Sequence, residues 1–299
     1  AHHLLKRNKF NVRALVRNER KPAAQTLKQS GAELFVGDLN DRSSLEHALQ
    51  GVHGVFLVQS FDNGIAAEIY QGKAIVDVAK ALGIKHFVYS LVGSAERKTG
   101  VPHFDSKFQI EEYVRASGLP YTILRPVFFF FNYDGMRSML EQGILLQPLS
   151  PDTKLQQLSE EDYGEMVAEV FERPADFANR EIEVASVEMS MTEIAAAFSR
   201  VLDKSVTYQQ IPFAAFEQQA GEEMTIMYRW FENVGYGADF AQLKRNFPAP
   251  TNFEFYWRDR AVMPAPNRVW GLTNPKFTQT MCILFLMQKT RNAGFQALG

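Results

Sequence analysis

Two residues four positions apart, His103 and Lys107 in "VPHFDSKFQIEEYVRASG", could do proton chemistry. On a helix that spacing puts both side chains on one face. A histidine with an unperturbed pKa of about 6.5 beside a lysine ammonium is mostly neutral near neutral pH, and it can still donate a hydrogen bond. A second candidate is the basic cluster Arg17, Arg20 and Lys21, which follows the strand-like "NVRALV". In a nucleotide-binding sheet this is where the adenosine end of a cofactor is read. An acidic residue there suits a ribose hydroxyl, whereas arginine can hold a 2'-phosphate with a fork of donors. Three further strand-like runs end in candidate ligand-binding residues: Asp38 and Leu39 in "VGDLND", Val58, Gln59 and Ser60 in "VFLVQS", and Ser90 in "VYSLVG". Open α/β sheets bind ligands along that carboxyl edge. Metal chemistry finds no support. His2 and His3 are adjacent and face different sides of a helix, and no Cys/His/Asp cluster has ligand spacing. No G-x-S-x-G elbow is present either.

The elements that must position these residues alternate between two periodicities. "NVRALV", "AELFVGD", "VHGVFLVQS", "IKHFVYSLVG" and "PYTILRPV" read as strands, the third without alternation, as in a parallel sheet covered on both faces. "KPAAQTLKQSG", "DRSSLEHALQG", "AAEIYQGKAIVDVAKALG" and "FDSKFQIEEYVRASG" read as the helices between them, several closed by glycine. In the third of these, Ile69, Ala74, Ile75, Val78 and Leu82 fall near one face. Strand and helix in this succession give right-handed βαβ units and a doubly wound parallel sheet of the Rossmann type, an α/β fold.

After Asn132 the grammar changes. "SEEDYGEMVAEVFERP" is a helix with an acidic first turn, "REIEVAS" a strand, and "SMTEIAAAFSRVLDK" a helix with a capping box from Ser190 to Glu193. An aromatic helical stretch from Phe213 to Val234 resembles a lid. The expected organisation is a nucleotide-binding Rossmann domain over 1–132 and a smaller α+β subdomain over 133–257, with some of its strands completing the sheet. An irregular tail is expected over 258–299, where "MPAPNRVWGLTNPKF" is broken by proline and asparagine.

Bulk properties narrow the function classes. The chain has 299 residues, 46% apolar and 22% charged, which is ordinary for a globular protein large enough for a sizeable core. A formal net charge of -2 gives no electrostatic case for nucleic acid. One cysteine, Cys282, cannot form an internal disulfide, which fits a reducing, cytoplasmic setting. The apolar run "MCILFLM" is short of the roughly 20 residues that span a bilayer.

Three segments, "VRALVRNERKPAAQTLKQSGAELFVGDLND", "HFDSKFQIEEYVRASGLPYTILRPVFFFFN" and "VGYGADFAQLKRNFP", together resemble the NmrA-like (HSCARG-like) family of atypical short-chain dehydrogenase/reductases. The resemblance covers about residues 1–257. It implies a Rossmann sheet binding NADP(H), with NAD(H) as the alternative. It also implies one of two activities: a regulator that senses the dinucleotide through a protein partner, or a reductase of quinones or small carbonyl compounds. By the same resemblance Arg17 faces the 2'-phosphate, Asp38 and Leu39 lie beside the adenine, and Val58, Gln59 and Ser60 line the path to the nicotinamide. Ser90 takes the usual serine position, Lys107 holds the nicotinamide ribose, and Pro126, Val127 and Phe128 lie nearest the nicotinamide. Phe129 to Phe131 are mostly packing. Active short-chain reductases carry Tyr-x-x-x-Lys, and here the tyrosine position is His103.

In the family a strand and a G-x-x-G-x-x-G turn precede the point where this chain begins, and no such motif occurs in the sequence. The glycines of that turn let the backbone approach a pyrophosphate at a helix N-terminus. The sequence therefore predicts a sheet lacking its central strand, with "NVRALV" and "HGVFLVQ" left without a partner. Unless those two strands close up, the chain is destabilised, and a truncated fragment that does not bind is the third reading.

Overall fold

In the computed structural model of the chain, which describes residues 1–61, 63–261 and 283–289, the alternation holds. α1 (His2–Lys6) leads into β1 (Phe10–Val16), and then α2 (Pro22–Gln29), β2 (Glu33–Val36), α3 (Arg42–Leu49), β3 (Gly54–Val58), α4 (Ile65–Ala81), β4 (His86–Ser90), α5 (Pro102–Ala116) and β5 (Tyr121–Pro126) follow. Beyond these come β6 (Phe128–Phe129), α6 (Arg137–Glu141), β7 (Ile144–Gln147), β8 (Lys154–Leu158), α7 (Glu160–Glu172), α8 (Pro174–Phe177), β9 (Arg180–Val184) and β10 (Val187–Ser190). The described chain closes with α9 (Met191–Leu202), β11 (Thr207–Gln210), α10 (Phe213–Ala220), α11 (Glu222–Asn233), α12 (Phe240–Asn246), α13 (Phe253–Ala261) and β12 (Ile283–Lys289).

The main sheet runs β2-β1-β12-β3-β4-β5-β9. The expected central gap is filled. β12 pairs antiparallel with β1, from Phe10 opposite Lys289 to Leu15 opposite Leu284, and antiparallel with β3, from Gly54 opposite Met287 to Val58 opposite Ile283. Every other pairing in this sheet is parallel. The irregular tail is thereby corrected for 283–289, and 258–261 belong to α13; the rest of that segment lies outside the described residues. Buried backbone groups must be paired, and a seven-residue apolar strand supplies donors and acceptors to both neighbours at once. A short continuous apolar run lacks the alternation by which strands are read, so nothing in "ILFLMQK" marks its pairing.

Helices cover both faces of the sheet. Along β3 and β4, Val55, Leu57, Phe87 and Tyr89 join the core under α3, α4 and α5, while Phe56 and Val88 join the core under α1, α7 and α8. Met287 of β12 lies in the second core and is fully buried. In α4 the buried stripe is Glu68, Gln71, Gly72, Ile75, Val76, Val78 and Ala79, whereas Leu82, expected on the apolar face, is exposed. Gly72 brings α4 close to α5, since a Cβ there would lie 2.8 Å from the Ile110 side chain. β9 extends the main sheet, and two small sheets, β10-β8-β6 and β11-β7, stand beside it. The capping box of α9 forms as expected: Ser190 Oγ accepts from the Glu193 N–H at 3.1 Å, and the Ser190 N–H donates to Glu193 Oε2 at 2.7 Å.

Two outcomes follow from this packing. A proline in the central strand removes a ladder hydrogen bond, so Phe285→Pro is expected to lower stability by about 3 kcal/mol or more. An unchanged urea midpoint for that variant would take β12 out of the sheet. The second outcome concerns His86, which is buried on β4, with Nε2 2.8 Å from Thr122 Oγ1. The Thr122 hydroxyl donates to the Phe177 carbonyl, so His86 Nε2–H is the donor to Thr122. Burial, with a smaller contribution from His53, lowers the His86 pKa to about 4. An unfolded histidine titrates near about 6.5, so as pH falls below that value the unfolded chain gains a proton that the folded chain refuses. The contribution is complete above about pH 6.5 and is lost on the way down to about pH 4, roughly 3 kcal/mol in all. Urea titrations at several pH values should show this loss in the wild type and a shallower one in His86→Gln.

Candidate functional site

The carboxyl edge of the sheet divides into two regions. At the first, β1 and β2 end beside each other. Gly37 makes the turn after β2 possible, because a Cβ there would collide with Ser44 Oγ and with Leu15. The Asp38 N–H donates to Ser44 Oγ at 3.0 Å, and Asp38 Oδ1 accepts from the Asn40 N–H at 2.9 Å. The N-cap of α3 is Asp41, which accepts from the Ser43 N–H at 3.0 Å, so Asp38 is not the capping residue. Arg17, Gly37, Asp38, Ser44 and His47 line a groove of about 490 Å³. A second cleft of about 100 Å³ adjoins it and adds Asn18, Lys21, Leu39 and Asn40. Arg17 and Asp38 are exposed, while Leu39 is buried. Three of the sequence candidates, Arg17, Asp38 and Leu39, thus come together in space.

At the second region, the ends of β3, β4 and β5 meet α4 and α5, and the remaining candidates are bonded into the protein itself. Lys107 is buried and ion-paired to Glu68 of α4, and its Nζ also donates to the Gln59 carbonyl at 3.1 Å. Ser106 Oγ donates to the other Glu68 oxygen at 2.7 Å. Glu68 is itself almost fully buried, so its charge is balanced by Lys107 and by hydrogen bonds. Gln59 donates to the Glu68 carbonyl at 3.0 Å, and Val58 and Ser60 flank it half-buried. His103 lies 2.7 Å from Glu223 of α11 through Nδ1 and stacks on Phe61 at 4.7 Å. Burial lowers the His103 pKa more than Glu223 raises it, and Lys107 adds only a smaller downward effect. The neutral histidine expected from the sequence has desolvation as its main cause.

Ser90 is buried and accepts from the Tyr163 hydroxyl at 2.6 Å. Pro126 ends β5, with its carbonyl accepting from the Gly93 N–H at 2.8 Å. Val127 is buried, and Phe128 packs against Tyr133 and Phe231 at ring separations of 5.5 and 6.3 Å. Between β4 and α5, Ser94 adopts φ 58° and Lys98 φ 54°, left-handed conformations that cost a non-glycine residue energy. Ser94 is held there by Glu183 of β9, which accepts from its N–H and its hydroxyl at 3.1 Å. Glu183 also accepts from the Gly237 N–H at 2.8 Å, docking the "VGYGADF" segment, and its burial raises its pKa.

Sequence reasoning missed three carboxylates: Glu68, Glu223 and Glu183. Glu68 had a usable signal, because it shares a helical stripe with Gly72, Ile75 and Ala79, where an acid is out of place. The other two come from elements 120 and 89 residues away from their partners and left no local trace. Among the described residues no His/Cys/Asp/Glu group could hold a metal ion, and no helix is long and apolar enough to cross a membrane.

For a dinucleotide, the first region offers a groove with Arg17, Asp38 and Asp41 on its lining, beside a turn that a glycine keeps narrow. The strand in the central place runs antiparallel, so among the described residues no helix starts from its carboxyl-edge end. The buried pair gives a direct test. Lys107→Met leaves Glu68 unpaired and is expected to cost about 3–5 kcal/mol, whereas Lys107→Met with Glu68→Leu recovers most of it. Urea unfolding of both variants measures this, and a loss under about 1 kcal/mol for the single variant would show that the two side chains do not pair in the core.

The sequence profile of the NmrA-like family matches residues 1–257. An NmrA-like family domain-containing protein of Dictyostelium discoideum is 27% identical over 273 residues, 85% of this chain and 90% of that protein. Quinone oxidoreductase 2 of Escherichia coli is 31% identical over 206 residues, 68% of this chain and 69% of that protein. Among solved structures, NmrA, a negative transcriptional regulator in complex with NADP, superposes with a TM-score of 0.68 at 26% identity, covering 83% of this chain and 86% of that one. The Escherichia coli NADPH-dependent quinone oxidoreductase complexed with NADPH gives a TM-score of 0.73 at 24% identity, covering 84% and 90%, and bears on the fold alone. The Rossmann sheet, the carboxyl-edge groove and the match over 1–257 agree: this chain belongs to the NmrA-like family.

Proposed function

We propose that the chain is an NADP(H)-binding regulatory protein of the cytoplasm that carries out no turnover and passes its ligand state to a protein partner through the 133–257 subdomain. The observation that carries this reading is the pair of carboxylates on the residues a reductase would need. Lys107 is ion-paired to Glu68, and His103, which stands in the tyrosine position, is bonded to Glu223. A general acid must reach the atom it protonates, and a ribose-binding ammonium must be available to the ribose. The relative NmrA, whose solved complex holds NADP, supports the regulatory side. The non-binding fragment reading rested on two unpartnered strands, and β12 partners both.

The competing reading is an NADPH-dependent reductase of quinones or small carbonyl compounds. It is favoured by the similarity to quinone oxidoreductase 2 and by the seating of α11 against His103. In that case the chain's own residues would act by positioning, with Glu223 fixing the tautomer of His103.

The two readings separate on one bench. The full chain with NADPH and a two-ring quinone is expected to show no NADPH oxidation above the protein-free rate, and sustained consumption would establish the reductase. Calorimetric binding of NADPH is expected to weaken by about tenfold or more in Arg17→Glu, because a forked donor is replaced by a repelling charge.

A further inference from the structure

Resting on the binding function above, we propose a regulator of access to its site. α10 and the first turn of α11 form a lid that Glu223 latches onto His103, and the latch is autoinhibitory: while it holds, Lys107 is closed off from a ligand.

Three observations carry this. The first is the order of side chains between α11 and Lys107. Glu223, in the first turn of α11, accepts from His103 Nδ1–H at 2.7 Å. His103 stacks on Phe61 with ring centroids 4.7 Å apart, and the Lys107 ammonium lies 5.8 Å from the centroid of the same Phe61 ring. His103 is 7% exposed and Lys107 8%, whereas the Glu223 side chain keeps 37% of its surface. The latch therefore has a buried donor and an acceptor that water can reach. Such a bond breaks more easily than the buried Lys107–Glu68 pair beneath it.

The second observation is a hinge. Gly221 separates α10 from α11 at φ 85°, a conformation that favours glycine, and beyond its chain neighbours no atom lies within 4 Å of the place a Cβ would take. α10 holds no buried residue, and its Phe216 and Phe213 rest against Tyr228 and Arg229 of α11 at 4.8 and 4.4 Å. The third is that the remainder of α11 is fixed. Thr225 is buried, and Trp230 and Phe231 pack on Phe104 and Phe128 at 5.7 and 6.3 Å. Glu232 accepts from the Ser150 N–H at 2.9 Å, from the Ser150 hydroxyl and from the Thr153 hydroxyl at 2.7 Å. Glu183 and Gln156 accept from the Gly237 and Ala238 N–H groups that follow, both at 2.8 Å. Motion is thereby confined to the part of the hairpin before Thr225. Local opening draws on the least buried elements of a fold, and a ligand that needs the open state binds more weakly by the fraction that is closed.

The experiment compares the full chain with Glu223→Ala, Glu223→Gln and Glu222→Ala by amide hydrogen exchange and by reductive methylation with formaldehyde, both read by mass spectrometry. Glu223→Ala is expected to speed exchange over 213–224 and methylation of Lys107 by about fivefold or more, with exchange in β4 and β5 unchanged. Glu223→Gln keeps a carbonyl acceptor and should fall between it and the wild type. Glu222→Ala removes the same charge from an exposed neighbour and should match the wild type. Unchanged exchange over 213–224 in Glu223→Ala overturns the latch. Faster exchange without faster methylation of Lys107 overturns the autoinhibition. Calorimetric titration with NADPH separates this from the binding function: Glu223→Ala should bind about threefold or more tightly, and equal affinity overturns the autoinhibition. If neither chain binds NADPH, the binding function itself fails, while exchange and methylation still decide the lid.

Discussion

The structure depends on the pairing of one strand. β1 and β3 each have a parallel neighbour on one side, β2 and β4, and each would have an unpaired row of buried backbone groups on the other. β12 satisfies both rows at once, and because it runs antiparallel to each, its ladder bonds lie perpendicular to the strands. Unsatisfied buried groups cost about 1–3 kcal/mol each against a total stability of about 5–15, so a sheet without this strand would not hold its order. The helices on both faces and the residues along the carboxyl edge take their positions from that continuity.

On this frame the buried charges fix the region where β3, β4 and β5 end. Arg125 of β5 donates to both oxygens of the fully buried Glu111, at 3.0 and 2.6 Å, and to Glu181 of β9 at 2.7 Å. Lys107 with Glu68, and Glu183 with Ser94 and Gly237, do the same between other pairs of elements. Networks of this kind are high in cost if broken and rigid when complete. They join α4 to α5, β5 to α5 and β9, and the 94–98 loop to the 235–238 segment. The outcome is an edge whose polar groups are bonded to one another, next to a groove at β1 and β2 lined by Arg17, Asp38 and Asp41. Family membership sets the class of ligand.

The sequence by itself determined the strand–helix alternation, the carboxyl-edge positions of Arg17, Asp38, Gln59 and Ser90, the capping box at Ser190 and the family. These rest on periodicity, on turn residues and on short motifs, all of which act within a few residues of the chain. Only the tertiary structure decided which segment fills the centre of the sheet, in which direction it runs and which carboxylates hold Lys107 and His103. The pairing of β12 with β1 joins residues from opposite ends of the chain, and the His103–Glu223 bond spans 120 residues. Strand pairing and buried ion pairs are chosen by which groups remain unsatisfied once the rest has packed. A short apolar run or a lone glutamate carries no record of the partner it will meet.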